Sequence, residues 1–130
     1  MASKILIVED DYALSDLFRR SLVGQGYEVE LVYDGERAIE LLHHATPDLV
    51  VLDLHLPQVT GYDILAYIRE ADHLKHTKVV AATASTAARR APEIEDADIF
   101  LMKPINLREL RTIVTRLLPQ NSSSADSPGT

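Results

Sequence analysis

Five short apolar runs recur along the chain and predict the strands of one sheet. They cover residues 5–8, 29–32, 49–52, 79–82 and 99–102. Three of these runs are almost continuously β-branched or rich in leucine. That composition is typical of strands that are buried on both faces of a parallel sheet.

The segments between the runs carry apolar residues at helical spacing. They predict helices over residues 12–23, 35–44, 62–71 and 107–118. Asn106 is a suitable N-cap for the last helix, and Gly24 and Gly26 provide a stop for the first. We expect the inward-facing residues of the four helices to be Leu14, Leu17, Phe18, Ser21 and Leu22; Ala38, Ile39, Leu41 and Leu42; Ile64, Leu65 and Ile68; and Leu110, Ile113, Val114 and Leu117.

Strands and helices therefore alternate, which predicts an α/β domain with helices on both faces of a parallel sheet. The weakest element is a fourth connecting helix over residues 86–95, because it contains Pro92 and has little apolar face. We expect that helix to be short, broken or mobile. Residues 120–130 are polar and have nothing to bury, so they predict a disordered tail or the start of a linker. The folded domain is expected to cover residues 1–119.

Composition and charge narrow the functional classes. The chain has 130 residues, of which 46% are hydrophobic and 25% charged, as in an ordinary globular domain. It has no cysteine for disulfide or thiolate chemistry, no signal peptide, and no apolar run near the roughly 20 residues that span a membrane. We therefore expect a cytoplasmic protein without membrane contacts. The net charge of −7 argues against direct nucleic acid binding and is compatible with a cation site built from carboxylates.

Polar residues follow four of the predicted strands. The acidic run 9–11 follows the first strand, Asp53 the third, Thr83 the fourth and Lys103 the fifth. In an open parallel sheet, ligands bind beyond the carboxyl ends of the strands, and the first, third and fourth strands are expected to be neighbours. These side chains should therefore converge at one edge of the sheet.

The residue types suit phosphoryl transfer. Clustered carboxylates repel one another, and a hard divalent cation such as Mg²⁺ relieves that repulsion. A phosphoryl group in transfer spreads negative charge over its oxygens, which a metal ion, the Lys103 ammonium and the Thr83 hydroxyl could neutralise. An ionised Asp53 is then the nucleophile.

Each of these residues also has an ordinary structural explanation when taken alone. Asp53 could be a turn or N-cap residue, and we expect Asp11 to cap the first helix. Thr83 could be a plain strand residue, and Lys103 a surface lysine. Their convergence at one sheet edge is what favours the functional interpretation.

Together these residues resemble the receiver domain of two-component response regulators, of the chemotaxis-regulator type, over about residues 3–118. The matching motifs are residues 5–11, residues 53–57 with Gly61, the pair 83–84 and the pair 103–104. The spacings also fit, with 43 residues from Asp10 to Asp53, 30 from there to Thr83, and 20 more to Lys103. The resemblance implies a three-layer, doubly wound (βα)5 sandwich whose parallel strands have the flavodoxin-like order 2-1-3-4-5.

The resemblance also implies a phosphoacceptor and a metal site. Asp53 would accept a phosphoryl group from a histidine kinase or a phosphotransfer protein. Asp10, Asp53 and the backbone carbonyl of His55 would bind Mg²⁺ directly, and Glu9 would bind it through water. Mn²⁺ is an alternative ion.

It further implies a conformational switch. Thr83 and Lys103 would contact the phosphoryl oxygens, Phe100 would be the switch aromatic, and the Lys103-Pro104 bond would be cis. The readout would be the face made by helix 86–95, the fifth strand and the last helix. That face would signal to a downstream partner or output domain, and a phosphorylation-dependent homodimer also fits. The only reactions that such a switch catalyses are its own phosphorylation and slow dephosphorylation.

The chain departs from the family pattern in several places. The segment between Thr83 and Lys103 is slightly short and lacks the usual glycine before the fifth strand, and Ile105 replaces a frequent phenylalanine. His55 stands where an apolar residue is usual; its imidazole could lie beside the phosphoryl site with Ser85, or be an exposed bystander. The other four histidines are expected to be solvated.

Two rival functions deserve comparison. A Mg²⁺-dependent phosphohydrolase of the haloacid dehalogenase type also uses an aspartyl nucleophile, but it needs a second acid where this chain has His55, and it carries its nucleophile on the first strand. A pseudo-receiver binds partners without phosphorylation and usually lacks one of the acids, the threonine or the lysine. This chain has all of them.

Overall fold

The computed structural model describes residues 2–85, 87 and 95–119. Within this part of the chain, five parallel strands form one sheet in the order β2-β1-β3-β4-β5. The strands are β1 Lys4–Val8, β2 Glu28–Val32, β3 Leu49–Asp53, β4 Lys78–Thr83 and β5 Ile99–Met102. The predicted parallel sheet and its strand order are confirmed.

Helices cover both faces of the sheet. They are α1 Tyr12–Val23, α2 Gly35–Leu42, α3 Gly61–Glu70 and α4 Leu107–Leu117, and a short 3-10 helix spans Asp72–Leu74. Successive side chains of a strand point to opposite faces, so β1 contributes Leu6 and Val8 to one core and Ile5 and Ile7 to the other. The first core packs under α2 and α3, and the second under α1 and α4. This is the expected three-layer sandwich.

The strand register aligns the carboxyl ends of the central strands. Val8 of β1 pairs with Leu52, and Asp53 at the end of β3 pairs with Ala82 of β4. Thr83, the last residue of β4, pairs with Met102 on β5. The residues that end these strands therefore lie side by side, at the edge where a doubly wound sheet binds its ligands.

Helix α1 has the predicted ends, and the boundaries of α2, α3 and α4 differ from the predictions by one or two residues. Helix α2 ends at Leu42, with His43 as its C-cap, and α3 begins at Gly61 because Thr60 and Asp63 form a capping box there. The predicted helix over residues 86–95 and the predicted tail over 120–130 lie outside the described residues.

One inward-facing assignment in α1 is wrong. Leu17 is 47% exposed, although we expected it in the core. Phe18 and Leu22 define the buried side of this helix, and a residue adjacent to Phe18 is rotated away by about 100°. Ser15 is buried instead, and its hydroxyl donates a hydrogen bond of 3.0 Å to the carbonyl of Glu9. This bond ties α1 to the end of β1.

Within the described part of the chain, no helix has the length and apolar character needed to cross a membrane.

Candidate functional site

The three acidic residues after β1 divide between two roles. Asp11 is the N-cap of α1, and its carboxylate accepts the backbone N–H of Leu14 at 3.0 Å. Glu9 is buried and its carboxylate accepts the backbone N–H of Asp11 at 3.2 Å, whereas Asp10 is exposed. Asp11 is therefore a capping residue, as predicted, and the other two carboxylates remain for the site.

Glu9, Asp10 and Asp53 form a compact acidic cluster. One ligating oxygen from each of the three carboxylates lies within 4.8 Å of the others. Asp53 is only 5% exposed, and its Oδ1 accepts the backbone N–H of His55 at 3.0 Å. Three carboxylates at this separation match the hard oxygen donors that Mg²⁺ prefers, and the exposed Asp10 leaves one side open for an ion.

Lys103 is the counter-ion within this cluster. Its Nζ lies 2.9 Å from Oε1 of Glu9 and 3.3 Å from Oδ2 of Asp53. Residue 103 follows β5 directly, and its backbone N–H donates to the carbonyl of Thr83 at 2.7 Å. The Lys103-Pro104 peptide bond is cis, as the resemblance implied.

The electrostatics of this group follow from burial and close charges. Burial raises the pKa of Glu9, and the nearby Asp53 charge raises it further; hydrogen bonds from Lys103 and from the backbone of Asp11 oppose these effects without cancelling them. Burial lowers the pKa of Lys103, but the hydrogen bond to Glu9 and the charge of Asp53 outweigh it, so the net shift is upward. The lysine thus stays charged, while its single positive charge does not fully compensate the carboxylates.

Thr83 lies beside this cluster and is fully buried. Its Oγ1 accepts the backbone N–H of Ser85 at 3.0 Å and also forms a hydrogen bond with Nε2 of His55. His55 is exposed, as a bystander residue would be, but its imidazole also contacts the Thr83 hydroxyl. Phe100 is half-buried and packs against Leu54 and Ala81 on the same side of the sheet.

An open cavity of about 490 Å³ lies over Asp53 and Lys103, and its other lining residues are His55, Ala84 and Ser85. It is wide enough for a phosphoryl group with its metal ion and water. A larger groove, of about 690 Å³, lies at the opposite edge of the sheet near Lys4 and Pro47. Of the three clustered carboxylates, Asp53 lines the smaller cavity, and none of them lines the larger groove.

The loop after β3 is held close to the site by glycines. A Cβ on Gly61 would lie 2.3 Å from the carbonyl oxygen of Asp53 and 2.5 Å from Cα of Leu54. A Cβ on Gly35 would lie 2.1 Å from the carbonyl oxygen of Val59. Only glycine permits both approaches, so Gly61 presses the start of α3 directly against the Asp53 backbone.

The structure brings together every residue that the sequence predicted for the site, with Phe100 on the adjoining surface. Two contacts were not predicted: the bond between His55 and Thr83, and the Ser15 hydroxyl that anchors Glu9. The unusual histidine was a signal for the first contact. Its partner could not be identified from spacing, because the contact depends on a side-chain rotamer.

Comparison with known proteins agrees with this geometry. A family model described as the response regulator receiver domain matches residues 5–115. The response regulator MprA of Mycobacterium ulcerans is 35% identical over 131 residues, which cover 98% of this chain and 56% of that protein. The transcriptional regulatory protein TrcR of Mycobacterium tuberculosis is 35% identical over 119 residues, covering 92% of this chain and 46% of that protein. The chain thus spans about half the length of these curated relatives.

Two solved structures are similar in fold. The response regulator TrrA of Thermotoga maritima, in complex with Mg²⁺-BeF, superposes with a TM-score of 0.82 at 30% identity and covers 89% of this chain and 99% of that one. The chemotaxis response regulator CheY4 of Vibrio cholerae gives a TM-score of 0.83 at 28% identity, covering 91% and 100%. Taken with the acidic cluster, the lysine and the buried threonine at one sheet edge, these matches show that the chain belongs to the response regulator receiver domain family of two-component signalling systems.

Proposed function

We propose that Asp53 is the phosphoacceptor of this receiver domain and that a phosphohistidine of a histidine kinase or phosphotransfer protein is the donor. The observation that carries the proposal is the placement of Asp53. It is the residue shared by the acidic cluster, the Lys103 ion pair and the open cavity. A phosphoryl group entering that cavity meets a carboxylate nucleophile with a metal site on one side and an ammonium on the other.

The metal site is built from the acidic cluster. Asp10, Asp53 and the backbone carbonyl of His55 would hold Mg²⁺ directly, or Mn²⁺ in its place, and Glu9 would reach it through water. The donors are all oxygen, which suits both ions. When bound, the ion neutralises negative charge on the phosphoryl oxygens. Support comes from the spacing of the carboxylates and from the pKa of Glu9, which burial raises first and the Asp53 charge raises further; a nearby cation would relieve both effects.

In the transfer step, a carboxylate oxygen of Asp53 attacks phosphorus while the bond from phosphorus to the donor imidazole nitrogen breaks. The departing imidazole keeps the electron pair of the broken bond and is neutralised by a proton. Lys103 stays charged near neutral pH because its pKa is raised, so its ammonium can pair with the arriving phosphoryl oxygens. The Thr83 hydroxyl donates to another of these oxygens. Hydrolysis of the acyl phosphate by water later returns Asp53 to its carboxylate form.

The output of this reaction is conformational. Thr83 would move toward the phosphoryl group and leave space that Phe100 fills by rotating, which changes the surface around β5 and α4. The downstream partner or output domain would read that surface, either as a heterologous contact or through a phosphorylation-dependent homodimer. Support comes from the arrangement in which Phe100 packs on Ala81, two residues before Thr83 on β4. A cytoplasmic location remains our expectation.

The test is incubation of the protein with Mg²⁺ and acetyl phosphate, followed by mass spectrometry. We expect the mass of one phosphoryl group to be added to the wild type and to Asp72→Asn, which changes an exposed aspartate in the 3-10 helix. Asp53→Asn and omission of the divalent ion should each abolish the adduct. Retention of the full adduct in Asp53→Asn would refute the assignment.

A further inference from the structure

His55 contacts two parts of the site at once. Its backbone N–H donates to Oδ1 of Asp53 at 3.0 Å, and its Nε2 is hydrogen-bonded to the hydroxyl of Thr83. The proposed chemistry uses only the backbone carbonyl of this residue, as a metal ligand. The imidazole therefore has no role in phosphoryl transfer as described so far, although it is hydrogen-bonded to the Thr83 hydroxyl.

The imidazole also lies between Thr83 and the cavity. Thr83 is 0% exposed, whereas His55 is an exposed residue. The cavity over Asp53 is lined by His55, Ala84 and Ser85 on that side, and Thr83 is not among its lining residues. The ring of Tyr62 stands edge-on to the imidazole, with centroids 6.5 Å apart. The hydroxyl that must reach a phosphoryl oxygen is thus covered by a histidine.

The hydrogen bonds of Thr83 show that two partners compete for its single hydroxyl proton. A hydroxyl has one proton to donate and lone pairs to accept with. Its oxygen already accepts the N–H of Ser85 at 3.0 Å, which leaves the proton for a different partner. Phosphoryl oxygens only accept, so the hydroxyl must turn its proton toward them when Asp53 is phosphorylated.

We propose that the Thr83 hydroxyl donates its proton to Nε2 of His55 in the unphosphorylated domain, so that the imidazole caps the hydroxyl and competes with the phosphoryl group for the same proton. His55 is a positioning residue in this scheme and holds the switch in its resting state. The inference rests on the proposed phosphorylation of Asp53. It predicts that loading the site breaks the bond between His55 and Thr83.

Beryllofluoride, as a non-covalent phosphoryl analogue, allows the test by ¹⁹F NMR titration at a fixed Mg²⁺ concentration. His55→Leu removes the competing acceptor and should tighten beryllofluoride binding by about 2- to 10-fold, the range for one net hydrogen bond. His55→Gln keeps an acceptor and should bind close to the wild-type affinity. His76→Leu changes an exposed histidine in the loop before β4 and should have no effect.

The double variant isolates the competition. In a Thr83→Val background there is no proton to compete for, so His55→Leu should no longer change beryllofluoride affinity. If His55→Leu bound beryllofluoride with wild-type or weaker affinity, the proposed competition between His55 and the phosphoryl group would be refuted. Tightening that persists with Thr83→Val, or a His55→Gln variant that behaves like His55→Leu, would refute it as well.

A second measurement needs no variant. The ring ¹⁵N signal of Nε2 of His55 should shift when beryllofluoride is added, as its hydrogen bond with Thr83 is lost, while the ring signals of His76 stay in place. An unchanged Nε2 signal in a protein that has formed the adduct would overturn the cap. Absence of an adduct in the wild type and in every variant would instead refute the phosphoacceptor assignment, so the two failures are distinguishable.

Discussion

At the scale of single residues, Lys103 supplies the positive charge that offsets repulsion among the buried carboxylates before a metal ion binds. Its side chain is 22% exposed, and the carboxylates of Glu9 and Asp53 are 5% and 6% exposed. Removing one partner from a mostly buried ion pair leaves the other charge without compensation, which is costly. Under the proposed phosphorylation of Asp53, the same ammonium would exchange a carboxylate partner for a phosphoryl oxygen.

Lys103→Met should therefore destabilise the metal-free domain by about 1–3 kcal/mol, the usual cost of leaving a buried polar group without its partner. Mg²⁺ should restore part of this loss, because it supplies the positive charge that the lysine provided. Urea unfolding with and without Mg²⁺ measures both effects. Lys75→Met, an exposed lysine, is the control and should leave the midpoint unchanged. A wild-type midpoint for Lys103→Met would contradict this account.

Asp16 gives a pH dependence outside the site. Its carboxylate accepts a hydrogen bond from Arg19, and the ion pair with Arg20 at 2.8 Å adds to this, so its pKa lies below the usual 3.8. A lowered folded-state pKa contributes stability that is present above pH 3.8 and is lost as the pH falls through the folded value. The Asp16 side chain is 35% exposed and both of its partners lie at the surface, so the effect is small and sensitive to salt.

At low salt, Asp16→Asn should consequently lose less stability than the wild type as the pH falls below 3.8. In 1 M salt, where screening removes the ion pair, the variant and the wild type should lose the same amount. The pH dependence of the urea midpoint in low and high salt measures this. If the urea midpoints of the variant and the wild type fell equally with pH at low salt, the prediction would be contradicted.

At the scale of elements, the junction of β3 and α3 sets the position of Asp53. Gly61 is the first residue of α3, and a Cβ there would lie 2.3 Å from the carbonyl oxygen of Asp53. Backbone atoms cannot yield as a flexible side chain does. Gly24 is a useful contrast, since it has an ordinary helical φ of −61° and a Cβ there would lie 3.3 Å from the nearest atom.

Gly61→Ala should therefore destabilise the domain by about 1–3 kcal/mol, as overpacking does, and weaken beryllofluoride binding by displacing the β3 end. Gly24→Ala should cost much less than Gly61→Ala, because φ at Gly24 suits alanine and the Arg20 carbonyl at 3.3 Å is a far milder contact than that at Gly61. Urea unfolding and ¹⁹F titration of both variants test the comparison. Equal behaviour of the two variants would show that the close approach at Gly61 has no consequence.

Element by element, the sequence was most informative where burial is complete. The run 49–52 of β3 and the run 79–82 of β4 are buried on both faces, so their apolar continuity marked them as strands. The amphipathic α1 was identified with correct ends, yet Leu17 was misplaced because a one-residue shift in helical phase separates core from solvent. The end of α2 was placed two residues late, since no glycine follows Leu42.

The site was predictable for a different reason. Parallel strands bring their carboxyl ends to one edge, so four short motifs far apart in sequence converge once the strand order is known. What could not be predicted are contacts that depend on rotamers. The imidazole of His55 could point toward solvent or toward Thr83, and spacing alone leaves both open. The Ser15 bond to Glu9 likewise requires the rotation of α1 over the sheet.

At the scale of the whole molecule, the net charge of −7 includes three carboxylates concentrated in one cluster. Ion binding there should stabilise the entire domain, because an ion that binds only the folded state adds RT ln(1 + [ion]/Kd) to the free energy of unfolding. At about 100 times the dissociation constant, this is about 2.7 kcal/mol.

We therefore expect Mg²⁺ to raise the melting temperature by more than NaCl does at equal ionic strength, since salt acts on all surface charges and the bound ion acts at one site. Asp10→Asn removes an exposed carboxylate of the cluster without removing the lysine pair and should lose most of the Mg²⁺-specific increase. Asp72→Asn, remote from the cluster, should retain it. Differential scanning calorimetry of the three proteins in both salts decides the matter. If Mg²⁺ and NaCl had equal effects on the wild type, the stabilisation would be screening of the surface, and the carboxylate cluster would not be a metal site.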